Sequence, residues 1–392
     1  MPWRRPDSGL GNIHSSPSAP SRNIDWVLML AMAALSVIGL AVIYSASHSK
    51  FPLRSDTPYG FFFVTRQELF LIGAVIAMVV VMSFDYEWWK DHARFLYGAT
   101  VMLLTLIALM NLLGVRGDET VLSFDIGPIN IQPAEFAKFT VLLVAAAYLA
   151  EDRSDELPYH RFIVGLLIVG APVVLIILQP DLGTSSVIIA MVMGLMLVAG
   201  AKVRYIFMIS ALSVLTVVAA VAARLVNEYQ IQRFTVFFNQ NTNDPAMRDL
   251  VYQGRNAIRA LATGGITGKG WLQGPITNAP KDIPVQWADF PFSAIGEQFG
   301  LVGGAVVLGL YAVMLLRIWR IAHLSRDLLG TYLCAGVFTM LLWQVFQNVA
   351  MTIGVMPITG LPLPFISYGG SGTVTYFALV GLVQNVHMRR YR

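Results

Sequence analysis

The sequence predicts an all-α, polytopic membrane protein of about ten transmembrane helices. Three observations carry this prediction. Of 392 residues, 56% are hydrophobic and only 13% charged, about half the charged share of a soluble chain. Mean hydropathy is +0.63. Apolar runs of 18 or more residues recur from Ile24 to the C-terminus, each long enough to cross a hydrocarbon core of about 30 Å. Barrel strands would read as short alternating segments, so a helical bundle is the architecture that remains.

Residues 1–23, rich in Ser, Pro and Arg, read as a disordered cytoplasmic tail. They do not read as a cleavable signal peptide, because the apolar run behind them is too long and no small-residue site closes it. Residues 24–388 form the ten-helix domain. Its spans fall at Ile24–Ala46, Glu68–Phe84, Phe95–Leu113, Pro133–Ala150, Phe162–Leu178, Gly183–Ala199, Ile206–Val226, Phe290–Trp319, Leu329–Gly354 and Ile366–Val386. Proline and glycine punctuate most joins, as turns and helix ends require. With the N-terminus cytoplasmic, fifteen Lys and Arg between Arg4 and Arg392 fall in inner segments. Only four (Lys50, Arg54, Arg66, Arg116) fall in short outer loops. This asymmetry places both termini, including the short end 389–392, in the cytoplasm.

The large outer loop, residues 227–288, is the one extended soluble element. Asp244-Pro245 reads as an N-cap and first helical proline opening a polar helix to about Thr263. The GGITGKG stretch within Gly264–Gly274 lacks the spacing of a phosphate-binding loop and reads as a flexible turn. The net charge of +4, with no dense basic patch, excludes a nucleic-acid partner. Cys334 is the single cysteine and reads as a small hydrophobe in an apolar run. No zinc-ligand spacing occurs among the six His.

Charged groups at the ends of membrane helices demand a reason, and four sites stand out at the outer ends. Asp289 lies between aromatics in QWADF, where a desolvated carboxylate suits general-base work; an N-cap reading stands beside it. Glu135 and Lys138 in QPAEFAK share one helix face, either as a self-neutralising pair or with Lys138 turned to a cavity that takes a diphosphate. Asp181 in QPDLGTS either caps the sixth span or pairs with a cation. Arg66 either binds an anionic headgroup or snorkels. The run Met356–Gly372, with three prolines and four glycines among its residues, cannot form a regular helix. At membrane depth such backbone is buried in protein or lines a cavity.

QPAEFAK, QPDLGTS, ADFPFSAIGEQFGLVGG and QNVAMTIGVMPITGLPLPFISYGGSG occur in the order found in the SEDS family (shape, elongation, division and sporulation), the RodA- and FtsW-like membrane proteins. From Asp25 to Arg392 the chain resembles that family. The resemblance implies a ten-helix, inverting peptidoglycan glycosyltransferase of the bacterial cytoplasmic membrane. It would polymerise lipid II, an undecaprenyl-diphosphate-linked substrate, beside a class B penicillin-binding protein. It implies Asp289 as the catalytic base, with Lys138, Arg66, Glu135, Asp181, Glu297 and Ser367 as substrate-binding candidates. No cofactor is required by the sequence, although a divalent cation (Mg or Mn) fits the leaving diphosphate. Overall resemblance favours the elongation branch over the division branch. A lipid II flippase or other transporter is the rival class, because broken backbone also suits a gated pathway. The chain departs from the family at Leu122-Ser123, where many members carry Arg-Trp. It also departs at Ala288, usually Thr, and at Gln298, usually Glu.

Overall fold

The computed structural model describes residues 23–48, 59–114, 121–126, 129–152, 156–208, 210–211, 228–239, 244, 247–279 and 282–391. Nine of the ten expected spans are helices: α1 (Trp26–Ser47), α2 (Tyr59–Ser83), α3 (Tyr86–Leu112), α4 (Pro133–Ala150), α5 (Tyr159–Ile177), α6 (Leu182–Val198), α10 (Pro291–His323), α11 (Leu328–Thr352) and α12 (Gly370–Met388). Helices α7 (Glu228–Phe238), α8 (Arg248–Gly264) and α9 (Gln286–Asp289) lie in the long loop. The expected span Ile206–Val226 falls largely outside the described residues, as does almost all of the N-terminal tail. Seven of these helices are long and apolar enough to cross a membrane; the chain is a multi-pass membrane protein.

Helix starts follow from local chemistry. In a medium without water, the orphan N–H groups of a first turn need internal acceptors. Asp25, Asp85, Asp181 and Asp327 supply them, accepting from Leu28, Glu87, Thr184 and Gly330 at 2.8–3.2 Å. Helices α4, α11 and α12 form the buried centre, whereas α2, α3 and α5 turn side chains such as Leu69, Ile76, Phe95, Met102 and Leu167 outward. Small residues allow close crossings. A methyl group on Gly381 of α12 would stand 2.9 Å from the Met78 carbonyl of α2, and one on Gly39 of α1 would stand 2.8 Å from the Ile366 backbone.

The start of α1 and the end of α12 meet at one end of the bundle. The Asp25 amide donates to Gln384 Oε1 at 3.0 Å, and Gln384 Nε2 donates back to the Asp25 carbonyl at 2.8 Å. Arg317 bridges to the Asp25 carboxylate, and Arg389 pairs with Asp85 at 3.3 Å. The starts of α1 and α3 therefore lie beside the ends of α10 and α12.

Four details differ from the sequence reading. Helices α2 and α3 each begin nine residues earlier than expected, at Tyr59 rather than Glu68 and at Tyr86 rather than Phe95, because the aromatic run before Arg66 continues the first and the polar turn capped by Asp85 opens the second. A two-stranded hairpin, β1 (Phe124–Ile126) with β2 (Ile129–Ile131), precedes α4; three-residue strands are too short to declare themselves by alternation. The polar loop helix opens at Arg248 behind Met247, whose amide donates to the Asp244 carbonyl at 3.1 Å.

The fourth difference is the largest. Gly300 breaks α10 at φ 63°, ψ −159°, and the Gly264–Gly274 stretch, expected to be a flexible turn, fills that break. Glu297 and Gln298 carbonyls accept from the Lys269 and Gly270 amides at 3.0 and 2.9 Å, while Leu301 and Val302 amides donate to Gly265 and Ile266 carbonyls at 2.9 and 3.1 Å. Backbone meets backbone so closely that only glycine fits. A methyl on Gly268 (φ +84°) would lie 2.1 Å from the Gln298 carbonyl oxygen.

Candidate active site

A cavity of about 450 Å³ opens at the end of the bundle opposite the chain termini. Its position follows from chain direction. Helices α4, α6 and α12 all begin there, contributing Glu135, Thr184 and Gly370–Thr373 from their first turns, and α2 contributes Arg66. Three helix N-termini thus converge on one space, where their aligned peptide dipoles favour an anion.

The irregular run from Met356 to Gly369 forms the remaining wall. Its backbone is satisfied by buried side chains, as membrane depth requires. Gln344 Nε2 donates to the Pro362 carbonyl at 3.0 Å, Asn348 Nδ2 to Leu361 at 2.7 Å, and Tyr311 to Pro364. The Gly369 amide reaches Gln67 Oε1 at 3.1 Å, and Gln67 Nε2 continues to Thr373 at 3.1 Å. Ser367 lines the cavity, but its hydroxyl is engaged: it donates to Ala288 at 2.6 Å and accepts the Leu363 amide at 2.7 Å.

Asp289 ends α9 and lines the cavity. The cap position of α10 belongs to Phe290, which makes no side-chain cap bond. Among the described residues no protein donor is bonded to the Asp289 carboxylate, which leaves it open for a ligand. Burial pushes its carboxyl up to about 6, against an opposing pull from the Arg233 guanidinium. Arg233, on α7, is anchored to the Thr359 carbonyl at 3.0 Å. Asn348 holds the backbone of Asp289 at 2.9 Å.

Arg66, Glu135, Asp181 and Ser367 share this cavity with Asp289; Lys138 and Glu297 do not line it. Lys138 is fully buried behind Glu135, bonded to its Oε1 at 2.7 Å and lying 5.3 Å from the Tyr376 ring centre. The other carboxylate oxygen, Oε2, is buried without a partner. Spacing by three places both residues on one helix face but does not say which one fronts the space. Asp181 caps α6 through the Thr184 amide and also takes Gln132 Nε2 at 3.4 Å. Glu297 is fully buried beneath the long loop. It accepts from the Ile276 amide at 2.9 Å and from the Thr277 amide and hydroxyl at 2.7 and 2.6 Å. It therefore pins the loop rather than facing the cavity. At the Leu122-Ser123 departure, Leu122 is exposed and Ser123 accepts from Asn130, itself a lining residue, at 2.7 Å.

Sequence reasoning missed Arg233, Gln67 and Asn348. Buried amides in otherwise apolar helices were the available signal for the last two; nothing local marks Arg233. Among the described residues no three His, Cys, Asp or Glu side chains gather to hold a metal ion.

Fold and site together define a polytopic helical membrane protein with an acidic, anion-ready chamber at one end of its bundle. The chain belongs to the FtsW/RodA/SpoVE family, described as "Cell cycle protein", whose match covers residues 25–392. It is 32% identical to stage V sporulation protein E of Bacillus subtilis, over 92% of this chain and 96% of that one. It is 28% identical to peptidoglycan glycosyltransferase RodA of Treponema pallidum, over 94% and 98%. Among solved structures, one of a peptidoglycan synthase complex that coordinates polymerization and crosslinking superposes with TM-score 0.74 at 28% identity, covering 94% of this chain and 99% of that one. Thermus thermophilus RodA gives TM-score 0.65 at 27% identity, covering 94% and 98%.

Proposed function

We propose that the chain is a peptidoglycan glycosyltransferase of the bacterial cytoplasmic membrane. It polymerises lipid II at the outer face for cell-wall elongation, with both termini cytoplasmic. The observation that carries this reading is the pairing, in one cavity, of an open, desolvated carboxylate with converging helix N-termini and Arg66. Glycan polymerisation from a diphosphate donor needs a base and an anion cradle.

In this mechanism Asp289 removes the proton from the attacking 4-hydroxyl of lipid II. The new bond forms between that oxygen and the anomeric carbon of the donor sugar as the carbon–diphosphate bond breaks. One displacement turns an α-linked diphosphate into a β-1,4 linkage. Charge on the departing diphosphate is met by Arg66 and the N-termini of α4, α6 and α12. Lys138 acts through Glu135, holding its carboxylate at the wall. A divalent cation (Mg or Mn) would have to arrive bound to the diphosphate, where it would add charge neutralisation at the leaving group, since among the described residues no three carboxylates gather into a cation site of their own. The charged residues of this cavity gather near one end of the bundle, which suits a polymerase better than a transport pathway. A class B penicillin-binding protein is the partner that would crosslink the product.

Radiolabelled lipid II offered to the purified protein in detergent, with and without a cognate transpeptidase, tests this reading. Glycan chains formed by wild type and lost in Asp289→Ala are expected. Silence from wild type with its partner, together with lipid II translocation in liposomes, would replace the polymerase by a flippase.

A further inference from the structure

At the opposite end of the bundle a second cavity, of about 560 Å³, lies between α3, α4 and α5. We propose that it is a binding site for an anionic phospholipid of the leaflet on the side of the chain termini. Its construction follows from helical spacing. Lys90, Arg94 and Tyr97 succeed one another on one face of α3; Val144, Ala147, Tyr148 and Glu151 do so on α4; Val164 and Ile168 close it from α5.

The floor is built by a defect in α5. Pro172 has no N–H, so the Ile168 carbonyl one turn earlier loses its helical partner. The Tyr97 hydroxyl takes that carbonyl at 2.6 Å, joining α3 to α5 across the cavity.

The rim carries the charge. Lys90 and Arg94 make no ion pair among the described residues. Of the two carboxylates present, Asp91 is exposed, and Glu151 faces Arg161 at 4.0 Å, where Arg161 also holds Asp152 at 3.3 Å. Lys90 and Arg94 thus stand over an apolar chamber of Ala93, Val144, Ala147, Val164 and Ile168. Seven residues separate Lys90 from Tyr97, a descent of about 10 Å along the helix. A phosphodiester at the rim with acyl chain below satisfies both levels, as basic pockets between membrane helices do for acidic headgroups. A soluble phosphate would leave the apolar chamber unused.

Native mass spectrometry of the full chain, titrated with phosphatidylglycerol or with phosphatidylcholine of the same acyl chains, tests this. Phosphatidylglycerol is expected to bind at least tenfold more tightly. The double variant K90Q/R94Q should bring it to the phosphatidylcholine level, K90R/R94K should keep it, and glycerol 3-phosphate should not displace it. Both variants change exposed groups and should melt as wild type does in lipid-free detergent, with polymer synthesis retained. Equal binding of the two lipids, unchanged binding by K90Q/R94Q, or displacement by glycerol 3-phosphate would each overturn the proposal.

Discussion

Replacing Asp289 by Asn separates catalysis from stability in opposite directions. Burial raises the Asp289 carboxyl from 3.8 to about 6, which corresponds to about 3 kcal/mol of disfavoured charge in the folded state. A raised folded value means the folded protein binds this proton more tightly than the unfolded chain does. The penalty is therefore fully present above about pH 6, fades as pH falls through that value, and is gone below 3.8. Asn has the same shape and no charge to desolvate, so Asp289→Asn should melt at a higher temperature than wild type at pH 7.5. The two should converge near pH 4. Polymer synthesis from lipid II should meanwhile fall by about 10² to 10⁴, the usual weight of a general base. Melting of the purified protein by tryptophan fluorescence and gel analysis of radiolabelled glycan supply both readings. Retained synthesis would remove Asp289 from the chemistry. A lower melting temperature would show that the carboxylate holds structure instead.

Three further outcomes follow from the same geometry. Wild-type polymerisation should fall about tenfold for each pH unit below about 6, as Asp289 takes up its proton; a flat profile down to pH 5 would contradict its role as base. Lys138→Met should destabilise the fold by about 3–5 kcal/mol by stranding the buried Glu135 carboxylate, whereas Glu135→Gln with Lys138→Met should recover most of that loss. Equal unfolding of the single and double variants in a denaturant titration would show that the pair is not coupled. Gly268→Ala, which drives a methyl to 2.1 Å from the Gln298 carbonyl oxygen at positive φ, should abolish folded yield in detergent, while Gly73→Ala, with open space around it, should not.

The spans were legible because lipid leaves one option for a long apolar run, and Asp289 stood out because a lone carboxylate between aromatics is costly there. Periodicity stops short of direction. It paired Glu135 with Lys138, yet only the packing of α4 against α12 puts the carboxylate at the wall and the ammonium behind it. The break at Gly300 was hidden for a related reason. Phe299-Gly300-Leu301 leads straight into an apolar run, and the peptide groups that complete its hydrogen bonding come from residues about thirty positions earlier. Arg233 was invisible because its meeting with Asp289 depends on where α7 settles, which no local pattern records.

The glycine segment that completes α10 also decides where this chain tolerates foreign sequence. Loops outside a membrane are the customary sites for epitope tags, protease sites and topology reporters. Here an insertion between Gly264 and Gly274 would remove four backbone hydrogen bonds from the break in a transmembrane helix. Reporter fusions placed there would report misassembly rather than sidedness, even though the residues read as solvent-facing loop. A tag at the C-terminal residues beyond Arg389 disturbs none of these bonds and is the safer position for labelling the working protein.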